Sequence, residues 1–173
     1  MPTILVLASG RGERFTASGG QGSKLQALLA GKPVLERTIA AVRASGLPFH
    51  VEGAGHPGMG DSIAAAVRAT PDANGWLVVP GDLPLIAPQT FRDVAAALAA
   101  HEVVVPTWQG ERGHPVGFAR VCGTELMALT GPHGAAAIVK SRAVHLLPVD
   151  DAGIRIDIDT VQDLAATERL LRS

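Results

Sequence analysis

Short, wholly apolar runs alternate along this chain with stretches in which apolar residues recur every three or four positions. Thr3-Ile4-Leu5-Val6-Leu7, Trp76-Leu77-Val78-Val79 and Val103-Val104-Val105 show no polar alternation. That is the signature of strands covered on both faces inside a parallel sheet. Weaker extended segments are expected at 49–52, 114–119, 144–149 and 154–158. Between them, Pro33 opens a helix with Leu35, Ile39 and Val42 on one face, stopped by Gly46. Asp61 or Ser62 is expected to cap a helix bearing Ile63, Ala66 and Val67, ended by Pro71. Another helix is expected from Thr90 to His101. Thr160 and Asp163 form the pattern of a capping box, opening a terminal helix with Val161, Leu164 and Leu171 inward. The alternation predicts one α/β domain over residues 1–173, built on a largely parallel sheet.

Composition narrows the function classes. The chain has 173 residues, of which 47% are hydrophobic and only 3% aromatic, so the core is built from Ala, Val, Leu and Ile. A net charge of −1 gives no basis for a nucleic-acid or membrane-surface partner, and any bound anion must be gripped locally. Cys122 is the single cysteine, expected as a small core residue, and the N-terminal apolar run is too short for a signal peptide or a membrane span. These features predict a cytoplasmic protein.

Candidate chemistry starts after the first strand, in Leu7–Gln26. Gly10, Gly12 and the Gly19-Gly20 pair allow close backbone approach to a ligand, and successive amides in such turns form anion-binding nests. Arg11, Arg14 and Lys24 add positive charge suited to a polyphosphate. Phe15 breaks the dinucleotide fingerprint, and Gly22-Ser23-Lys24 is not a Walker loop. Asp82, in Gly81-Asp82-Leu83-Pro84, follows a buried strand and belongs at the same sheet edge. A carboxylate beside a phosphate site calls for a bridging cation, which fits Mg²⁺. Asp157 and Asp159 share one face of an expected strand by the period of two, and Asp159 is favoured as the second metal ligand. The Gly-rich segment Gly55–Ser62 opens a helix and suits a base, a ribose or a second anion. Arg112 and His114 lie on a turn entering a strand.

Taken in order, "LASGRGERF" with Ser23-Lys24, "GKPVLERT", "GMGDSI", "GDLPL", "RGHPVGF" and "DIDTVQDL" resemble the MobA-like nucleotidyltransferases. The closer resemblance is to the molybdopterin cytidylyltransferase branch. It implies a single-domain, three-layer α/β/α Rossmann-like nucleotidyltransferase fold with a mostly parallel, mixed sheet. It further implies transfer of a nucleotidyl group from an NTP, CTP for this branch, to the terminal phosphate of molybdopterin, with release of pyrophosphate. Arg14 and Lys24 would hold the triphosphate, and Asp82 with Asp159 would bind Mg²⁺. Leu7, Ala8, Ser9, Gly10, Arg11, Gly12, Gly60 and Ser62 would form the nucleotide site. Arg112, His114 and the segment after Thr130 would face the acceptor. A monomer serving a molybdenum hydroxylase is the implied setting. Two alternatives stand beside this: another phosphorylated acceptor such as a sugar phosphate, or a non-catalytic carrier of the molybdenum cofactor. The chain departs from the family pattern at Pro132 and Ala136, where an acid and an arginine are usual. The stretch from Gly46 to Gly60 is also short for the usual strand-helix-strand.

Overall fold

The computed structural model describes residues 1–9 and 12–173. In chain order the first half comprises β1 (Thr3–Leu7), α1 (Glu13–Ala17), β2 (Leu28–Leu29), β3 (Lys32–Pro33), α2 (Val34–Ala44), β4 (Phe49–Glu52), α3 (Met59–Ala69) and β5 (Gly75–Pro80). The second half comprises α4 (Pro88–Ala97), β6 (Val103–Trp108), β7 (Glu111–Arg112), β8 (Val116–Ala119), α5 (Gly123–Met127), α6 (Ala136–Ser141), β9 (Val144–Pro148) and α7 (Val161–Arg172).

The main sheet runs β4–β1–β5–β8–β6, with β7 and β9 also paired to β6. β1 pairs in parallel with both β4 and β5, and β9 pairs in parallel with β6, whereas β8 runs antiparallel between β5 and β6. The expected mostly parallel, mixed sheet is what the protein has.

The pleat sorts the strand residues into two cores. Leu5, Leu7, Trp76, Val78, Val103 and Phe118 pack under α3, α5 and α6 through Ile63, Val67, Leu126 and Ile138. Ile4, Val6, Leu77, Val79 and Val104 face the other way, against Val42 of α2 and Phe91 and Val94 of α4. Burial on both faces is why these runs carry no polar alternation, and it gives the three-layer arrangement. Cys122 is fully buried in the first core. Among the described residues no helix is long and apolar enough to cross a membrane.

Three local expectations are corrected. The helix predicted to be capped by Asp61 or Ser62 begins earlier, at Met59 with Gly58 as its N-cap, so both polar residues lie inside its first turns. The segment 154–158 is not a strand. Asp151 accepts hydrogen bonds from Gly153 N–H (2.9 Å), Ala87 N–H (2.9 Å) and the Thr90 hydroxyl (2.6 Å), and folds Ala152–Arg155 into a 3₁₀ turn. Side-chain capture of backbone donors outcompetes a sheet ladder here. Leu171 of α7 is 39% exposed, because the helix's packed stripe is held by Val161, Leu164 and the buried Thr167 nearer its start. The short stretch after β4 behaves as its length suggests: residues 53–58 lead directly into α3, leaving β4 at the sheet edge.

Candidate active site

The register of the parallel strands aligns their carboxyl ends. Leu7 of β1 stands level with Glu52 of β4 on one side and Pro80 of β5 on the other. The chain is pinned just beyond that line, where Ala8 N–H bonds to Glu52 O (2.9 Å) and Gly81 N–H bonds to Leu7 O (2.8 Å). Gly81 has no room for a side chain, since a Cβ would come within 2.8 Å of the Leu35 side chain and 3.1 Å of Leu7 O. Its carbonyl accepts a 2.7 Å hydrogen bond from the buried Thr38 hydroxyl in the middle of α2. The loop bearing Asp82 is thus tied to β1 on one side and α2 on the other.

Asp159 reaches the same place from the far end of the chain. Ile158 is buried against Leu29, Val34 and Leu164, and its N–H bonds to Asp82 O (2.9 Å). Asp157 and Asp159 flank it, so the period of two survives although no ladder forms. The capping box of α7 is present: Thr160 accepts from Asp163 N–H, and Asp163 accepts from the N–H groups of Thr160 and Asp159.

These supports bring four of the sequence-predicted charged residues together. The Lys24 ammonium donates to Asp82 Oδ2 at 2.9 Å and to Asp159 Oδ1 at 3.4 Å, while Arg14 donates to Asp159 Oδ2 at 2.8 Å. Burial works against the Lys24 charge, but its bonds to Asp82 and the charges of both carboxylates outweigh that and hold its pKa above the usual lysine value. Burial likewise opposes the Asp159 charge, yet Arg14 and Lys24 bring its pKa below the ordinary carboxylate value. Asp157 titrates higher than usual, through desolvation and the nearby Asp82 carboxylate.

The Lys24 ammonium occupies the point on which two carboxylate oxygens converge. That donor set suits a hard divalent cation that keeps waters or phosphate oxygens as its remaining ligands. Among the described residues no group of three or more acidic, His or Cys side chains is placed to hold a metal alone.

A cleft of about 270 Å³ opens beside this cluster, lined by Leu7, Ser9, Lys24, Leu25, His56, Pro57, Gly58, Met59, Ser62, Pro80, Gly81 and Asp82. Ser9 and Ser62 share a hydroxyl–hydroxyl hydrogen bond of 2.8 Å across it. Gly12 caps α1 in a left-handed conformation (φ 66°) and backs onto the Lys24 stem. Gly10 and Arg11 lie outside the described residues.

Gly60 has its amide engaged by Gly131 O (2.9 Å), and a Cβ there would sit 2.8 Å from Thr130 O. The Gly-rich helix start therefore serves close packing against 130–131, reinforced by Gly131 N–H donating to the Asp61 carboxylate (3.2 Å). Arg112 is exposed on β7, in register with Thr107. His114 lies near Asp82 and Asp157, with its Nδ1 buried and unpartnered among the described residues. Burial pushes its pKa below the usual histidine value.

Residues 41–147, more than half the chain, match the model of the MobA-like NTP transferase domain. The chain belongs to that family.

Rv0371c from Mycobacterium tuberculosis H37Rv is 26% identical to this MobA-like domain, with a TM-score of 0.81 over 96% of each chain. A manganese complex of the same protein superposes with a TM-score of 0.77 at 25% identity, covering 96% of this chain and 97% of that one. Molybdopterin-guanine dinucleotide biosynthesis protein A from Archaeoglobus fulgidus shares the fold, with a TM-score of 0.71 at 19% identity over 98% of each chain. The bifunctional protein GlmU of Stenotrophomonas maltophilia is 31% identical over 141 residues, 68% of this chain. The MobA-like domain spans only 30% of that relative's length.

Sequence reasoning missed Thr38 and the Glu52–His56 corner of the cleft. Thr38 reads as an ordinary polar residue inside a helix. The Glu52 and His56 side chains sit inside a weak strand and a Gly-rich loop, where only the glycines stood out.

Proposed function

We propose that this MobA-like domain transfers a nucleotidyl group from CTP to the terminal phosphate of molybdopterin, releasing pyrophosphate. The observation that carries the reading is the convergence of Lys24, Arg14, Asp82 and Asp159 at the carboxyl edge of β1 and β5, beside a cleft. Ligands in open α/β sheets bind at that edge.

In this reading Lys24 and Arg14 exchange their carboxylate partners for oxygens of the triphosphate. Leu7, Ala8, Ser9, Gly12 and Ser62 are assigned to the nucleotide side, as are Gly10 and Arg11 from the sequence alone. Gly60 belongs there too, acting through the 130–131 segment it packs against. His114 and Arg112 face the acceptor. An oxygen of the acceptor's terminal phosphate attacks the α-phosphorus, a new P–O bond forms, and the bond to the β-phosphate oxygen breaks. The nucleophile is already ionised at neutral pH, so the chain need supply no general base. Its work is positioning and charge neutralisation. Asp82 and Asp159 would hold Mg²⁺, or the manganese seen with Rv0371c, which spreads the charge of the phosphates when bound. The likeness to the Archaeoglobus fulgidus protein supports molybdopterin as the acceptor only through the shared fold.

The test is pyrophosphate release with CTP, GTP, ATP and UTP in turn, with Mg²⁺ or Mn²⁺, and with molybdopterin or a panel of sugar phosphates. Release that needs both CTP and molybdopterin supports the reading. Release with a sugar phosphate keeps the chemistry and replaces the acceptor. Nucleotide binding without release from any combination overturns catalysis in favour of a carrier.

A further inference from the structure

The cleft that Lys24 and Asp82 line is also lined by His56, which belongs to a side-chain arrangement that the charge cluster does not explain. Glu52, at the end of β4, is 9% exposed and accepts two hydrogen bonds from histidines. His50 Nε2 lies 3.0 Å from one carboxylate oxygen, and His56 Nε2 lies 3.1 Å from the other. Burial opposes the Glu52 charge, but the two imidazole bonds hold its pKa below the ordinary glutamate value. An ionised carboxylate only accepts, so both Nε2 atoms must donate. In its neutral form His56 is thereby fixed in one tautomer, with its proton on Nε2 and a bare lone pair on Nδ1. His56 lines the cleft, and Nδ1 is the one ring atom left to accept a hydrogen bond from a ligand.

We propose that His56, aimed by Glu52, selects the nucleobase, its Nδ1 accepting a hydrogen bond from the exocyclic amine of cytosine. This rests on the nucleotidyl-transfer reading, which puts phosphates at Lys24 and leaves the base to the rest of the cleft, where His56 is a lining side chain. Cytosine and uracil fill the same space and differ at two adjacent edge positions. At C4 cytosine carries an amine donor where uracil has a carbonyl acceptor, and at N3 cytosine is an acceptor where uracil carries an N–H donor; His56 is assigned to the C4 position. Against a fixed lone pair, the amine gains a hydrogen bond, while the carbonyl leaves two acceptors facing each other. Leaving a polar group unpaired in that way is worth roughly ten- to a hundredfold in affinity. Glu52 is the positioning residue, since it fixes which ring nitrogen carries the proton.

The experiment is equilibrium binding of CTP and of UTP, without acceptor, to the wild-type protein, His56→Leu and Glu52→Gln. The wild type is expected to hold CTP more tightly by about ten- to a hundredfold. In His56→Leu the ratio should collapse to within about threefold. Glu52→Gln should also narrow it, because an amide can donate to Nε2 and admit the other tautomer. A folding defect would weaken both nucleotides together, so the ratio separates selection from damage. A preference that survives His56→Leu overturns the proposal. A wild type that binds the two alike, yet still releases pyrophosphate, overturns it while leaving the transfer reading intact. Failure to bind either nucleotide overturns both.

Discussion

Replacing Lys24 with Met keeps the apolar stem and removes only the ammonium that lies 2.9 Å from Asp82 and 3.4 Å from Asp159. At an effective dielectric of about 20, each such contact has a gross attraction of roughly 4–6 kcal/mol. Dehydration and side-chain ordering cancel most of this, leaving about 1–2 kcal/mol for a partly buried pair. Two effects of opposite sign follow. A divalent cation entering between the carboxylates has to displace the ammonium. Without it, Mn²⁺ binding in the absence of nucleotide should tighten about tenfold, the equivalent of about 1.4 kcal/mol. Turnover, by contrast, loses the cation that faces the triphosphate and should fall on the order of 10²-fold. Titration calorimetry with Mn²⁺ alone and pyrophosphate release with CTP read the two arms separately. Unchanged or weaker Mn²⁺ binding together with near-normal turnover would refute the reasoning and leave Lys24 as a structural tie.

Other expectations concern the supports of the site. Thr38→Val keeps the shape but strands the Gly81 carbonyl, so denaturant unfolding should show a loss of about 1–2 kcal/mol. Gly60→Ala places a Cβ 2.8 Å from Thr130 O; the backbone cannot yield cheaply, and thermal unfolding should report about 1–3 kcal/mol of destabilisation. His114 titrates below its ordinary value of 6.5 because it is buried neutral. The unfolded chain then binds the extra proton first, so His114 contributes stability above pH 6.5 that is lost as pH falls toward its folded-state value. Urea midpoints measured from pH 7.5 downward should decline in the wild type, and His114→Phe should flatten the upper part of that decline.

Much of the fold could be read from the chain because burial on both faces leaves a plain trace. Ile4–Leu7, Leu77–Val79 and Val103–Val105 are apolar at every position for that reason. The Thr160–Asp163 box was legible because its donors and acceptors are local. What could not be read was which cation takes which carboxylate. Lys24 and Asp159 meet across 135 residues, and only the anchoring of Ile158 on Asp82 O decides it. The 154–158 segment misled because Asp151 bonds to Gly153, Ala87 and Thr90, two of which are distant in sequence. The glycines at 58 and 60 suggested a ligand loop, and Gly58 does line the cleft, but the sequence did not show that the space a side chain would need at either is taken by the backbone of 130–131.

The antiparallel β8 bears on how this sheet is assembled. β5 is followed in the chain by β6, yet the place between them is filled by a strand made later. A chain emerging from the ribosome can pair β1 with β4 and β5 as soon as all three are out. It must then hold β5 with a bare edge until residues 116–119 arrive and are inserted. The slow step in folding should be that insertion, because β8 reaches the β5 edge only across residues 81–115, which include α4 and β6. Chains cut between β6 and β8 would present the unpaired β5 edge to one another and aggregate rather than remain as soluble half-domains.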